Sequence, residues 1–224
     1  VICTGGFQSN PELMARYIYG NPMVYLGSPA HTGDGLLMAQ SMGCDLWHMN
    51  SVSAPLGVQV AGVKAGIAMV TRQPAFIWVD QDGKRFVNEK KLDYHCSGWA
   101  INREGYKWSK DNQKEIDSGV IIKADTIEEL AKKLGIADPS VLSATVKRWN
   151  SDLREKGIDT EYGRTLTADP NMKAVFVGRD VKSWSAPIEQ GSFYAVKLVP
   201  VTYHTMGGPK KSVKAEVLDP FGQP

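Results

Sequence analysis

Asp82-Gly83-Lys84-Arg85-Phe86-Val87-Asn88-Glu89 follows Ala75-Phe76-Ile77-Trp78-Val79. An Asp-Gly pair with strand-forming residues on both sides predicts a β-hairpin, Ala75–Val79 returning as Arg85–Val87. The turn itself reads as structural. The Arg85, Asn88 and Glu89 cluster reads either as chemistry or as a solvated edge.

Outward from this stretch the chain alternates between helix and strand signals. Asn10 before Pro11 and Glu12 supplies an N-cap, a first-turn proline and a first-turn acid, predicting a helix from about Pro11 to Tyr19. A second helix is expected after Gly33 and Gly35, stopped by Gly43. Thr126 caps a predicted helix over Ile127–Leu134 that Gly135 closes. Asp138-Pro139 opens a longer one, with Leu142, Val146, Trp149 and Leu153 at helical spacing, ending near Gly157. Phe193–Val201 and Ala215–Leu218 read as strands. The sum is an α+β or α/β unit with a helical insertion between about residues 100 and 190.

A chain of 224 residues can bury a sizeable core, and 42% hydrophobic with 22% charged residues argues against disorder. A net charge of +2, from 26 basic and 24 acidic residues spread along the chain, indicates neither nucleic acid nor an anionic membrane as partner. Cys3, Cys44 and Cys96 form no CxxC pair and read as reduced thiols, with no metal site. No run approaches the roughly 20 apolar residues of a membrane span, and no compartment is indicated. Val1–Gly6 reads as the end of a buried strand and Glu216–Leu218 as a short strand before a turn over Asp219–Pro224. Both termini therefore read as interior material, predicting an internal piece of a longer protein.

Four stretches could carry chemistry. Thr4-Gly5-Gly6-Phe7 ends a predicted strand in two glycines, which let backbone amides approach a flat or anionic ligand. Thr32-Gly33-Asp34-Gly35 precedes a helix, where free N–H groups favour an acceptor and Asp34 can accept from a hydroxyl or ring nitrogen. The third is the 82–89 stretch. In Tyr203-His204-Thr205-Met206-Gly207-Gly208 a titratable pair ends an apolar strand, and histidine exchanges protons near neutral pH. The plain alternatives are a tight turn, a helix cap, a solvated edge and a lone histidine without catalytic duty.

In this order, with Met69-Val70-Thr71 and Tyr162-Gly163-Arg164, these motifs resemble the fumarate reductase and flavocytochrome c flavoproteins and the related 3-ketosteroid dehydrogenases. The resemblance implies FAD as cofactor and a capping (clamp) domain flanked by strands and loops of the FAD-binding domain. Residues 1–50 would belong to the FAD-binding domain, 51–190 to the capping and substrate domain, and 191–224 would return to the first. It also implies that Thr4, Gly5, Gly6, Gly33, Asp34, Gly35, Thr205 and Gly207 line the cofactor. No Gly-x-Gly-x-x-Gly pyrophosphate turn occurs in the chain, so the piece alone is expected to bind FAD poorly and to be inactive. Its implied partners are a small-molecule substrate, the remaining FAD-domain segments of the same protein and an electron donor.

Carried over residue by residue, the family's dicarboxylate set is only partly present. Its substrate histidine falls on Ala54 before Pro55, its threonine is kept as Thr71, the following glutamate is replaced by Arg72, and its proton-donating arginine falls on Asp93. A carboxylate at Asp93 repels a dianion, so fumarate is not the expected substrate. The expected reaction moves hydride between flavin N5 and a C=C or CH–CH bond conjugated to a carbonyl. Tyr203, His204, Tyr94 and His95 are the candidate acids or donors, and Thr71 and Arg72 the candidate substrate contacts. A 3-ketosteroid substrate is the nearest alternative, supported by Ser192-Phe193-Tyr194-Ala195, and an interaction module without activity is the third.

Overall fold

The computed structural model describes residues 2–69, 74–90, 108–167 and 183–224. They fall into two compact units, one built from 2–69 and 198–224, the other from 74–90, 108–167 and 183–197.

In the first unit, α1 (Pro11–Tyr17) starts at Asn10, whose side chain accepts the N–H of Glu12 and of Leu13. It ends two residues before the expected Tyr19, because Ile18 is extended and Gly20 turns the chain at φ 79°. The helix α2 (Asp34–Ser41) follows Gly33. Phe7, Leu13, Met14, Ile18 and Leu36 form the core between the two helices. Gly33 has φ 85°, and a Cβ there would meet Leu13 and Phe7, so glycine serves both the turn and the packing. Four short strands make one sheet. In it β1 (Val24–Tyr25) runs parallel to β8 (Val199–Thr202), which is antiparallel to β4 (Leu56–Val58), itself paired with β5 (Ile67–Ala68). Two smaller ladders pair β2 (Leu46–Trp47) with β10 (Gly208–Pro209) and β3 (Val52–Ser53) with β9 (His204–Thr205).

In the second unit, β6 (Ile121–Ala124) pairs antiparallel with β7 (Phe193–Val196). The short α3 (Gln113–Asp117) is followed by α4 (Ile127–Leu134) and α5 (Pro139–Lys156), which match the predicted helices, with Thr126 and Asp138 as caps and Gly135 and Gly157 left-handed at their ends. Ala131, Ile136, Leu142 and Val146 form their shared core. At the end of α5, Lys156, then the Thr160 hydroxyl and amide, hold the Asp152 carboxyl at about 2 instead of an ordinary 3.8. Because the folded value is depressed, this stabilisation is complete above the ordinary value and lost as pH falls towards about 2. Asp152→Asn is therefore expected to flatten the acid side of the stability curve between about pH 4 and 2. Thermal unfolding against pH reads this, and equal slopes in the two proteins would sink it.

Several strand expectations are corrected. Ile2–Gly6 joins no ladder among the described residues, Gly5 turning at φ 73°, and Ile2 to Gly5 are exposed rather than buried. Its polar groups serve the neighbouring loop instead: Gly6 O accepts from Gly33 N and Thr4 Oγ1 from Gly35 N. The expected 75–87 hairpin keeps its turn, with Asp80 N donating to Lys84 O, but its ladder is one bridge, Val79 to Arg85. The backbone it would have paired is taken by side chains: Glu89 accepts from Trp78 N, and Arg164 donates to Phe76 O and Pro74 O. The expected 193–201 strand is two strands, because β7 pairs within the second unit and β8 within the first. Of 215–218 only Val217 bridges, to Lys211, and Ala215 sits at φ 64°.

Candidate functional site

Three separated stretches of sequence converge in the first unit. Phe7 N donates to Thr205 Oγ1 at 3.2 Å, tying the Thr4–Gln8 loop to β9. Thr4 Oγ1 accepts from Gly35 N at 3.1 Å, tying the same loop to α2. A Cβ on Gly6 would collide with Thr205 Oγ1 and Gln8 Oε1, so only glycine lets these two side chains close on the loop backbone. A Cβ on Gly5, at φ 73°, would strike the His31 ring. Tyr203 and His204 meet edge to face at 5.1 Å between ring centres, both partly buried. Thr4, Gly5, Gly6, Gly33, Asp34, Gly35, Tyr203, His204, Thr205 and Gly207 therefore share one neighbourhood.

Not every residue there has the role expected of it. Of the N–H groups at the start of this helix, expected to favour a bound acceptor, that of Gly35 is spent on Thr4. Asp34 is exposed and accepts from the Thr32 hydroxyl at 2.9 Å. Gly207 packs against the His48–Met49 backbone, where a Cβ would lie 2.5 Å from Met49 Cα. Ala54 lies between two carbonyls that bind the strand opposite, Ser53 O accepting from Tyr203 N and Pro55 O from Val201 N, and its methyl offers no donor. Thr71, Arg72, Asp93, Tyr94 and His95 lie outside the described residues.

Two residues here were not read from the sequence. Gln8, only 4% exposed, places its Nε2 2.5 Å from His31 Nδ1 and donates to Tyr203 O at 3.3 Å. Because Tyr203 O can only accept, the amide nitrogen must face it, which makes His31 Nδ1 an acceptor and puts the ring proton on Nε2. Each of these residues adjoins a motif, Gln8 after Phe7 and His31 before Thr32. The available signal was a polar glutamine directly after the core residue Phe7.

The 82–89 stretch belongs to the second unit, and the solvated-edge reading of it is wrong. The Arg85 guanidinium, 2% exposed, pairs with Glu89 at 2.9 Å and Asp159 at 2.7 Å. It also lies 4.6 Å from the Trp149 ring centre. The fully buried Arg164 pairs with Glu89 at 3.2 Å and donates to the carbonyls of Pro74, Phe76 and Trp184. Burial pulls Arg85 down, but Glu89 and Asp159 outweigh it and hold the guanidinium above its ordinary value. Burial first, then the neighbouring Arg164, lowers Lys90 to about 8 against the opposing pull of Glu89. This cluster binds backbone and counter-charge, so it is a structural clamp for the unit.

The exposed Thr4–Gly5 backbone, on a loop tied to Thr205 beside Tyr203 and His204, suits close approach of a flat cofactor edge. The chain belongs to the FAD binding domain family, whose sequence profile matches residues 1–224, and FAD is its cofactor. It is similar to the fumarate reductase (cytochrome) of Shewanella frigidimarina, 32% identical over 98% of this chain and 37% of that protein. It is also similar to the NADH:acrylate oxidoreductase of Vibrio harveyi, 27% identical over 100% of this chain and 22% of that protein. Its fold resembles that of the 3-ketosteroid delta1-dehydrogenase from Sterolibacterium denitrificans, solved with 1,4-androstadiene-3,17-dione, at a TM-score of 0.75 and 24% identity over 98% of this chain and 44% of that one. The chain thus spans less than half the length of each. Among the described residues no helix is long and apolar enough to cross a membrane.

Proposed function

We propose that the chain works as part of an FAD-dependent oxidoreductase acting on a C=C or CH–CH bond conjugated to a carbonyl, in a substrate less anionic than fumarate. The observation that carries this reading is chemical: acrylate, fumarate and 3-ketosteroids, named for the similar proteins, share such a bond. FAD, when bound, supplies hydride transfer at its N5. In the chain itself, the Thr4–Gly6 backbone and the Thr205 hydroxyl hold the cofactor edge, and Gly33 and Gly35 keep α2 close to that loop. Tyr203 and His204 orient the carbonyl and move a proton at the carbon beside the hydride-accepting one. Thr71 and Arg72 hold the polar end of the substrate, Arg72 by pairing with a carboxylate or polarising a carbonyl. The helical unit takes the part of the capping domain.

Selection against fumarate rests on Ala54, which replaces a cationic donor by a methyl, and on Asp93, whose carboxylate repels a second one. The test is reoxidation of the dithionite-reduced, FAD-loaded longer protein containing this chain by acrylate, fumarate or a 3-ketosteroid, followed through the flavin band. Reoxidation by acrylate at least about tenfold faster than by fumarate is expected, a difference of about 1.4 kcal/mol in the barrier. Fumarate matching acrylate would overturn the selectivity. Reduction of the oxidised protein by a saturated 3-ketosteroid, with no response to enoates, would favour the steroid reading. A longer protein, carrying the remaining FAD-domain segments, that takes up no FAD would favour an interaction module.

A further inference from the structure

Gly5 turns at φ 73°, and a Cβ there would lie 2.6 Å from His31 Cδ2 and 2.9 Å from His31 Nε2, so glycine is what lets the edge of the imidazole sit against the loop. The ring is held on its other side. His31 O accepts from Ser9 N at 3.0 Å, and His31 Nδ1 accepts from Gln8 Nε2, which is fixed in turn on Tyr203 O. With Nδ1 used as an acceptor, the ring proton is on Nε2, at the edge beside Gly5. No group among the described residues accepts from that N–H. It is also within reach of a ligand, since Thr4 and Gly5 are exposed and His31 is partly so. A donor whose orientation and tautomer are both fixed, at the edge of an open glycine turn, can bind an acceptor with little ordering cost.

We propose that His31 is a cofactor-binding residue that donates its Nε2–H to an acceptor atom of FAD beside the Thr4–Gly5 backbone, and that Gln8 is the positioning residue that keeps the proton on Nε2. This rests on the reading of the Thr4–Gly5 backbone as part of the FAD site. FAD carries two kinds of acceptor that suit an imidazole N–H, the carbonyl and nitrogen edge of its ring system and the pyrophosphate oxygens.

The test uses the longer protein containing this chain and reads FAD titrations and visible spectra for wild type, His31→Ala and His31→Gln. His31→Ala removes the donor and is expected to weaken FAD about tenfold, the effect of one hydrogen bond. His31→Gln returns an amide N–H close to the place of Nε2 and is expected to bind within about threefold of wild type. A shift of the flavin bands in His31→Ala assigns the acceptor to the ring system, and an affinity loss alone assigns it to the pyrophosphate. Unchanged affinity in His31→Ala overturns the proposal, as does an equal loss in both variants, which would make the bulk of the ring matter rather than its N–H.

Imidazole resonances of protein labelled with 15N-histidine read the tautomer, and they decide the matter alone should His31→Ala fail to fold. In wild type the proton is expected on Nε2, with its resonance moving when FAD is added, and in Gln8→Leu the two tautomers are expected to mix. A proton on Nδ1 in wild type, or an Nε2–H resonance indifferent to FAD, overturns the proposal, and an unmixed tautomer in Gln8→Leu overturns the role given to Gln8. Wild type that takes up no FAD overturns the proposed function together with this inference, whereas retained FAD with an indifferent His31→Ala overturns the inference alone.

Discussion

Arg164→Met is expected to destabilise the protein by about 3–5 kcal/mol, the range for breaking a buried ion pair by removing one partner. The Arg164 side chain is fully buried and donates to three backbone carbonyls, Pro74, Phe76 and Trp184, as well as to Glu89. Methionine fills a similar volume but leaves those carbonyls without that donor and removes one of the two cations facing Glu89, the other being Arg85 at 2.9 Å. Lysine should restore less than half of the loss, because one ammonium cannot reach groups that a planar fork spans. Adding Glu89→Leu to Arg164→Met should cost less than the two single changes together, since the same uncompensated charge is counted in both. Urea unfolding of the three single variants and the double one measures these differences, and a loss below about 1 kcal/mol in Arg164→Met would show the clamp to be dispensable.

Gly207→Ala is the second large effect, expected at about 2–3 kcal/mol with weakened FAD uptake. The added methyl would lie 2.5 Å from Met49 Cα and 2.6 Å from His48 O. Both are backbone atoms, so no rotamer change relieves the contact, and separating them pulls β9 and β10 away from β3 and β2. Thr205, on β9, would move with them and lose its hold on Phe7 N. Gly208→Ala provides the contrast, since a Cβ there meets nothing within 4 Å. Equal stability of the two variants by thermal unfolding would remove the steric argument.

How far the sequence could be read depended on whether a signal was local. The helices α4 and α5 were legible because Thr126, Asp138, Gly135 and Gly157 act on backbone groups a few residues away. The 75–87 hairpin was not, because Trp78 N and the carbonyls of Pro74 and Phe76 are satisfied by Glu89 and Arg164. Arg164 lies 88 residues beyond Phe76. The candidate site divides in the same way. Thr4-Gly5-Gly6, Gly33-Asp34-Gly35 and Tyr203-His204-Thr205 were visible as motifs, whereas the Gln8 contacts to His31 and Tyr203 were not.

The sequence by itself determined the flavoprotein family, the ends of α4 and α5 and the motifs that gather around Gly6 and Thr205, since turns, caps and glycines impose their geometry on adjacent backbone. Tertiary structure alone decided that Arg85, Glu89 and Arg164 clamp backbone rather than face solvent. It also decided that the Gly35 amide is spent inside the fold and that Gln8 ties the His31 ring to the Tyr203 carbonyl. Each of these is a matter of which distant group satisfies a buried polar atom, and local propensity carries no information about that choice.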